Sequence, residues 1–230
     1  MLNKFWSIVF FILLLTNLTG IQGSTAWMQY ASKPLLLLVL SGWLIHATAG
    51  SANRLKLWVL SALLFSWAGD VLLMFEKIKP DFFIAGLAAF LIAHLFYIIA
   101  LNGMRKNWHI KINWLLLIPV IGFYAAMMYV LYPRLGNLKV PVIVYALVIS
   151  TMLFFALQLL QAKQKIVYII LLGAVLFVAS DSILAMNKFY ARFHLAGFLI
   201  MLTYGFAQWF ITYGMVQYFA ANRSSNNKLN

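Results

Sequence analysis

The sequence contains no cysteine and only four acidic residues among its 230 positions. Without cysteine the chain has no disulfide, no thiolate nucleophile and no zinc or iron–sulfur site built on thiolates. Charged residues make up only 9% of the chain, whereas soluble domains carry about 25%. Because 65% of the residues are hydrophobic, a soluble fold of this size could not keep its apolar surface out of water. The composition therefore indicates a polytopic membrane protein and excludes soluble, disordered and collagen-like chains.

Common catalytic and nucleotide-binding motifs are also lacking. The chain has no Gly-x-Ser-x-Gly elbow, no His-Glu-x-x-His motif and no glycine-rich phosphate loop, so no motif supports a serine hydrolase, a zinc peptidase or a nucleotide-binding protein. A metal site that combines His46, His94 and His194 with an aspartate is conceivable, but these histidines lack paired-ligand spacing. We predict neither a metal nor a cofactor.

Positive charge is in excess, with 17 Lys and Arg residues and a formal net charge of +13. In a soluble chain this excess would suggest nucleic acid. Here the basic residues occur singly or in pairs between apolar runs, where they set membrane topology and contact anionic headgroups. We expect bilayer lipids, and not nucleic acid, as partners.

Eight apolar stretches each approach the ~20 residues that a helix needs to cross hydrocarbon. They span residues 5–21, 34–50, 55–75, 82–102, 112–132, 140–161, 166–187 and 194–219. The predicted fold class is all-α, a polytopic transmembrane bundle of eight helices. It forms one domain over residues 1–221, and a disordered polar tail follows at 222–230. The first stretch resembles a signal peptide, but no convincing cleavage pattern follows it, so we expect a retained helix.

An even number of helices places both termini on one side of the membrane. Counted loop by loop, 10 of the 17 Lys and Arg residues fall on that side and 7 on the other. Because basic residues favour the cytoplasmic side, this excess predicts cytoplasmic termini in a cell-membrane protein.

A weak internal repeat relates the two halves at an offset of 111 residues. The polar and small matches are Asp70 with Asp181, Lys77 with Lys188 and Gly86 with Gly197. A true repeat would give two parallel four-helix halves, each with one intramembrane aspartate. Coincidence in an apolar composition is the alternative, and both stay open.

Asp70 and Asp181 interrupt two of the apolar stretches. An aspartate in hydrocarbon costs about 2.5–3.5 kcal/mol on insertion scales, so it marks a functional site by default. Each lies about five residues from the same end of its helix, ~7 Å below one interface at helical rise. We predict Asp70 and Asp181 as a catalytic pair, the alternative being neutral groups that only bond neighbouring helices. Glu76 and Asp81 follow the third helix, where solvation is sufficient explanation.

Other polar residues fall on helix faces where they can support the aspartates. They are Ser66, His94, Tyr97, Tyr204 and Gln208. Hydrocarbon offers these groups no hydrogen-bond partners, so we expect them to bond to one another and to the aspartates. At helical rise His94, Tyr97 and Gln208 lie deeper than the aspartates, ~18–23 Å from the same helix ends. His94 is either a packed core residue or a participant in the chemistry.

Lys33 and Pro34 are predicted to open the second helix on the same side as the aspartates, since proline suits a first helical turn. Lys33 either snorkels to the interface as a topology residue or is the cation that meets a phosphate at the mouth of a polar cleft.

Five motifs follow one another from the second helix to the eighth. They are Lys33-Pro34-Leu35, Phe65-Ser66-x-x-Gly69-Asp70-x-x-Leu73, Gly86-Leu87-x-x-Phe90-x-x-Ala93-His94-x-x-Tyr97, Gly173-Ala174-x-x-Phe177-x-x-Ser180-Asp181-x-x-Leu184-Ala185 and Thr203-Tyr204-x-x-Ala207-Gln208. In this order they resemble the YhhN-like lysoplasmalogenase family. The resemblance implies an eight-helix membrane hydrolase that cleaves the vinyl ether bond of lysoplasmalogen. The products would be a fatty aldehyde and glycerophospho-choline or -ethanolamine. It also adds Ser180, beside Asp181, to the supporting residues.

Vinyl ether hydrolysis begins with proton transfer to carbon, and water then captures the oxocarbenium ion. The reaction needs a general acid, an anion facing the developing cation and a positioned water. In an apolar site one carboxyl group can keep its proton while a neighbouring carboxylate stays ionised. We assign these roles to Asp70 and Asp181 without specifying which is which, and Lys33 to the phosphate of the lysophospholipid.

Two further interpretations compete with the enzyme. A proton-coupled transporter would use the same aspartate pair, and paired acids in a parallel repeat fit such a carrier. A structural or lipid-binding protein would use the polar residues only to hold its bundle together. The enzyme is the interpretation that we favour.

Overall fold

The computed structural model describes residues 2–49 and 53–226, and every regular element within these ranges is helical. The long helices are α1 (Leu2–Gln22), α2 (Ala26–Ala47), α3 (Leu55–Met74), α4 (Asp81–Asn107), α5 (Leu117–Leu131), α6 (Lys139–Gln158), α7 (Lys165–Ala185) and α8 (Ala196–Asn226). With the short 3₁₀ turns that extend α5, eight spans in the described ranges are long and apolar enough to cross a membrane. The predicted all-α bundle of eight helices is confirmed, and the protein is a multi-pass membrane protein.

The bundle has a core of buried aromatic and aliphatic side chains, and other large apolar side chains are exposed on its outer surface. Trp43, Tyr97 and Phe177 are at most 1% exposed, whereas Leu115 and Ile118 are more than two-thirds exposed. Helices suit this setting because each satisfies its own backbone groups where no water is available. Of the described spans, α8 is the most buried and α5 the least, so α8 lies at the centre and α5 at the lipid-facing edge.

The helix contacts fit the 111-residue repeat that the sequence left open. The pairing of α3 with α4 recurs as the pairing of α7 with α8, and the contact of α2 with α8 recurs as that of α6 with α4. Tyr97 donates a hydrogen bond to Gln208, and Asn107 donates one to Tyr218; each pair is 111 residues apart. Equivalent positions that touch one another lie on the axis that relates two halves. The axis therefore passes between α4 and α8.

The prediction that Lys33 and Pro34 open the second helix is wrong. The helix begins at Ala26, and Pro34 lies inside it. In the sequence, the polar residues before Pro34 resemble a loop. In the structure, they form hydrogen bonds with residues of α1. Gln29 donates to the carbonyl of Gly20, and the Ser32 hydroxyl accepts a hydrogen bond from Asn17. These bonds allow two additional polar turns of α2 inside the bundle.

The last helix is also longer than predicted. It continues to Asn226, so residues 222–226 of the predicted polar tail are helical. Residues 227–230 of that tail lie outside the described residues.

Gly173 allows α7 to approach the backbone of α8. A Cβ atom at this position would lie 2.9 Å from both the Ala207 carbonyl oxygen and the Ile211 nitrogen. Backbone atoms in packed helices cannot move aside cheaply, so the glycine sets the separation of the two helices.

We expect Gly173→Ala to lower the free energy of unfolding by about 1–3 kcal/mol, because the methyl group overpacks the α7–α8 interface. Thermal unfolding of purified protein in detergent measures the effect. Gly122→Ala on α5 is the matched control, since no described atom outside its own helix turn lies within 4 Å of the added Cβ. An equal loss in both variants would contradict this account.

Candidate active site

A cavity of about 560 Å³ opens between α1, α2, α3, α7 and α8. Ser24 and Lys77, from the α1–α2 and α3–α4 connections, lie at its mouth, which places the mouth on the membrane side opposite the termini. Five of the predicted site residues line the cavity: Lys33, Asp70, Ser180, Asp181 and Tyr204. The two intramembrane aspartates, brought by separate helices, therefore face one shared space.

Asp70 has both carboxylate oxygens engaged. It lies near the end of α3 and is 2% exposed. Its Oδ1 is 3.3 Å from the Lys33 ammonium, and its Oδ2 accepts a 2.7 Å hydrogen bond from the Tyr204 hydroxyl. A cation and a hydroxyl donor together stabilise the negative charge, so this environment suits the carboxylate form.

A chain of hydrogen bonds behind Tyr204 points toward Asp70. The Tyr97 hydroxyl donates to Gln208 Oε1 at 2.6 Å, and Gln208 Nε2 donates to the Tyr204 oxygen at 3.3 Å. Tyr204 in turn donates to Asp70. Since each donor faces an acceptor, the chain fixes the orientation of the Gln208 amide and directs the Tyr204 hydrogen to the carboxylate.

Asp181 has neutral neighbours. Its Oδ2 accepts a hydrogen bond from the Tyr145 hydroxyl on α6, and the same oxygen is 3.8 Å from His94 Nε2. Among the described residues no Lys or Arg forms an ion pair with Asp181. Its side chain is 14% exposed, against 3% for Asp70. Asp181 is thus the acid with less compensation for a negative charge and more access to the cavity.

His94 is oriented by its own helix. The Phe90 carbonyl lies 2.6 Å from His94 Nδ1, and because a carbonyl only accepts, Nδ1 carries the hydrogen. In the neutral ring Nε2 is then an acceptor, and this atom faces Asp181. Nε2 is buried and has no hydrogen-bond partner within the described part of the chain. The ring contributes a proton acceptor beside the Asp181 carboxyl group.

The two aspartates have equivalent positions but different partners. Asp70 contacts α2 of its own half and α8 of the other, through Lys33 and Tyr204. Asp181 contacts α6 of its own half and α4 of the other, through Tyr145 and His94. In each case the helices are related by the 111-residue offset. The two halves therefore contain two similar sites, each around one aspartate. One site has a cation beside the aspartate, and the other has neutral groups.

The predicted depths need correction. His94 was expected well below the aspartates, yet it lies beside Asp181. The reason is that α7 continues beyond Ala185 as a π-helical turn, Met186–Tyr190. Asp181 is therefore nine residues from the end of the helical segment, ~13 Å at helical rise and not ~7 Å.

The remaining predicted residues divide into two groups. Ser180 lines the cavity and donates to the Ile200 carbonyl, which ties α7 to α8. Ser66, Tyr97 and Gln208 are buried behind the cavity. The Ser66 hydroxyl has no hydrogen-bond partner within the described residues, so the structure does not bring it to the aspartates.

Sequence reasoning missed Tyr145, Asn17 and Glu76. Tyr145 is a lone tyrosine in an apolar helix. The sequence feature that could have identified it is the repeat, because the 111-residue offset aligns Tyr145 with Pro34, next to Lys33. Asn17 lines the cavity from α1 and donates to Ser32. Glu76 was assigned to a solvated loop, but it lies at the cavity mouth.

The fold and the cavity define the class of protein. It is a multi-pass membrane protein with a pair of buried carboxyl groups in a cavity open to one membrane face. Within the described residues no group of three or more His, Cys, Asp or Glu side chains could hold a metal ion. Hydroxyl, amide and imidazole groups surround the acid pair.

Comparison with known proteins gives the family. The YhhN family model matches residues 28–215, so the chain belongs to the YhhN family, as its motifs predicted. Lysoplasmalogenase TMEM86B of Rattus norvegicus is 32% identical over 196 residues, which cover 83% of this chain and 74% of the relative. The protein named lysoplasmalogenase of Mycobacterium tuberculosis is 31% identical over 192 residues, 82% of this chain and 70% of the relative. No solved structure gives a significant match.

The Asp70–Lys33 pair predicts a coupled effect on stability. Lys33→Met leaves a buried carboxylate without its cation, and we expect a loss of about 3–5 kcal/mol in the free energy of unfolding. Adding Asp70→Asn removes the orphaned charge, so the double variant should be more stable than Lys33→Met alone. Unfolding of the single and double variants in detergent measures the coupling. Purely additive losses would show that the two groups do not interact.

Proposed function

We propose that this protein is a membrane-embedded lysoplasmalogenase that uses Asp181 as general acid and Asp70 as the anion facing the developing cation. The observation that carries the proposal is the unequal surroundings of two carboxyl groups in one cavity, one paired with Lys33 and the other with neutral Tyr145 and His94. Membership of the YhhN family and the names of its curated relatives support the substrate class.

The cavity suits a single-chain lipid that enters from the membrane surface. In a lysoplasmalogen the vinyl ether adjoins the glycerol, just below the phosphate. Lys33 is partly exposed in the cavity and holds three donor hydrogens, so it can bind a phosphate oxygen while it keeps Asp70. The vinyl ether then lies next to the acid pair. With the termini in the cytoplasm, as the basic residues favour, the mouth faces the opposite side of the membrane.

The first step is proton transfer from the Asp181 carboxyl group to the β-carbon of the vinyl ether. The carbon–carbon double bond supplies the electron pair for the new C–H bond, and positive charge develops on the adjacent carbon and the ether oxygen. Asp181 becomes a carboxylate that accepts from Tyr145. The Asp70 carboxylate, held by Lys33 and Tyr204, is a preorganised anion near that charge.

The second step is capture of the oxocarbenium ion by water. The Asp181 carboxylate takes a proton from the water as the water oxygen bonds to the carbon, which gives a hemiacetal and restores the Asp181 acid. The hemiacetal then breaks its bond to the glycerol oxygen. That oxygen takes up a proton and leaves as a hydroxyl, while the hemiacetal hydroxyl gives up its proton and becomes the carbonyl of the aldehyde. The ring nitrogen of His94 beside Asp181 offers a second acceptor through which the acid can exchange its proton.

A carrier with the same acid pair is the competing interpretation. It requires a sealed membrane and a gradient, whereas a hydrolase acts in detergent. The curated relatives are named as enzymes, which favours the hydrolase.

Purified protein in detergent should release aldehyde from a lysoplasmalogen and not from its saturated-ether analogue, which lacks the double bond that accepts the proton. Asp181→Asn should lower the rate at least 100-fold, as expected for loss of a general acid, and Asp70→Asn should lower it comparably. An enzyme-coupled aldehyde assay measures both.

Asp81→Asn is the matched control, because Asp81 is an exposed acid at the start of α4. It should keep the full rate. Aldehyde release that survives both site substitutions would refute the proposed roles, and no release by the unchanged protein would refute the activity.

A further inference from the structure

Three of the four acidic residues in the sequence line one cavity. All four belong to the described residues. Asp70 and Asp181 have roles in the proposed reaction, but Glu76 does not, although it lies at the mouth in the turn that follows α3. In a chain with a net charge of +13, a cavity that contains both these acids and the ammonium groups of Lys33 and Lys77 suits a ligand with a positive as well as a negative group.

A phosphate group does not account for Glu76. Lys33 and Lys77 line the cavity and suit a phosphate, whereas a carboxylate at the mouth repels one. Lys33 contacts Asp70, which lies four residues before the end of α3 at Met74, and Glu76 lies in the turn beyond that end. Lys33 lies inside, paired with Asp70, and the mouth carries both Glu76 and Lys77. A carboxylate is therefore available farther out than the inner cation. A zwitterionic headgroup has the complementary order, with phosphate next to the glycerol and an ammonium group beyond it.

We infer that Glu76 binds the ammonium group of a zwitterionic headgroup, ethanolamine or choline, and so selects amine-bearing lysoplasmalogens. This inference rests on the proposed function. It assigns a binding role to Glu76, which lies at the cavity mouth, away from the vinyl ether and from the residues that contact Asp70 and Asp181.

Glu76 forms an ion pair with Lys188, and this pair can open so that Glu76 binds a ligand. Its Oε2 is 3.1 Å from the Lys188 ammonium, and both side chains are about one-third exposed, at 32% and 35%. Exposed ion pairs are weak, because water competes for both charges. Lys188 also lies 4.3 Å from the centre of the Phe83 ring, so it keeps a favourable contact when it shares the carboxylate with a ligand.

An aromatic ring completes the mouth. Tyr30, one turn before Lys33 on α2, lines the cavity, and its ring packs against Phe75 at 6.2 Å between centres. Tyrosine faces attract ammonium groups, including quaternary ones. Glu76 adjoins Phe75 in the chain, so a carboxylate and an aromatic ring are available at the same end of the cavity.

The test compares Glu76→Gln with the unchanged protein on three alkenyl lysolipids in neutral detergent micelles. Two carry ethanolamine or choline, and the third, an alkenyl glycerophosphate, has no amine. We expect kcat/KM for both the ethanolamine and the choline substrate to fall about tenfold, because the attraction between the Glu76 carboxylate and the positive headgroup is lost. The value for the phosphate substrate should stay the same or rise, because the repelling charge is removed.

Two controls separate recognition from structure. Lys188→Gln removes the other half of the ion pair but leaves the carboxylate, so it should preserve the preference for amines. Asp81→Asn, an exposed acid outside the cavity lining, should leave all three rates unchanged. Equal losses on all three substrates in Glu76→Gln, or the same change in Lys188→Gln, would overturn the inference. Absence of activity on every substrate by the unchanged protein would instead overturn the proposed function.

Discussion

The ion pair between Asp70 and Lys33 is the interaction on which the rest of the site depends. A carboxylate in a membrane-spanning bundle is tolerated only when a cation and hydrogen-bond donors compensate for lost water. Lys33 supplies the cation because α2 begins two turns earlier than its proline suggests. Tyr204 supplies the donor, and the bonds from Tyr97 through Gln208 keep that hydroxyl in place. The Asp70 carboxyl group is thereby held between a cation and a hydroxyl donor at one wall of the cavity.

The second acid differs because its neighbours differ. Asp181 meets a phenol and an imidazole, which offer hydrogen-bonding atoms without a full positive charge. Two carboxyl groups in one cavity can then divide the work of holding charge and handling a proton, as acid pairs do in other hydrolases. The two aspartates differ because they pack against different side chains, on opposite sides of the axis between α4 and α8.

The sequence was most informative where hydrocarbon imposes strict rules. Eight apolar runs gave eight helices, and the two acids inside them drew attention because a charge there is costly. Pro34 predicted the wrong start for α2, because proline is typical of a first helical turn and the bonds of Gln29 and Ser32 to α1 are visible only in three dimensions. Tyr145 escaped notice for a similar reason. One tyrosine in an apolar helix has no local signal, and only the fold brings it to Asp181.

The contacts between equivalent positions of the two halves have a consequence for how such a site can arise. A dimer of identical four-helix subunits would place the same side chains around each aspartate, and both acids would behave alike. Covalent connection of the halves removes that identity. In the single chain one half carries a lysine beside its aspartate and the other a tyrosine, so two acids at equivalent positions have different surroundings.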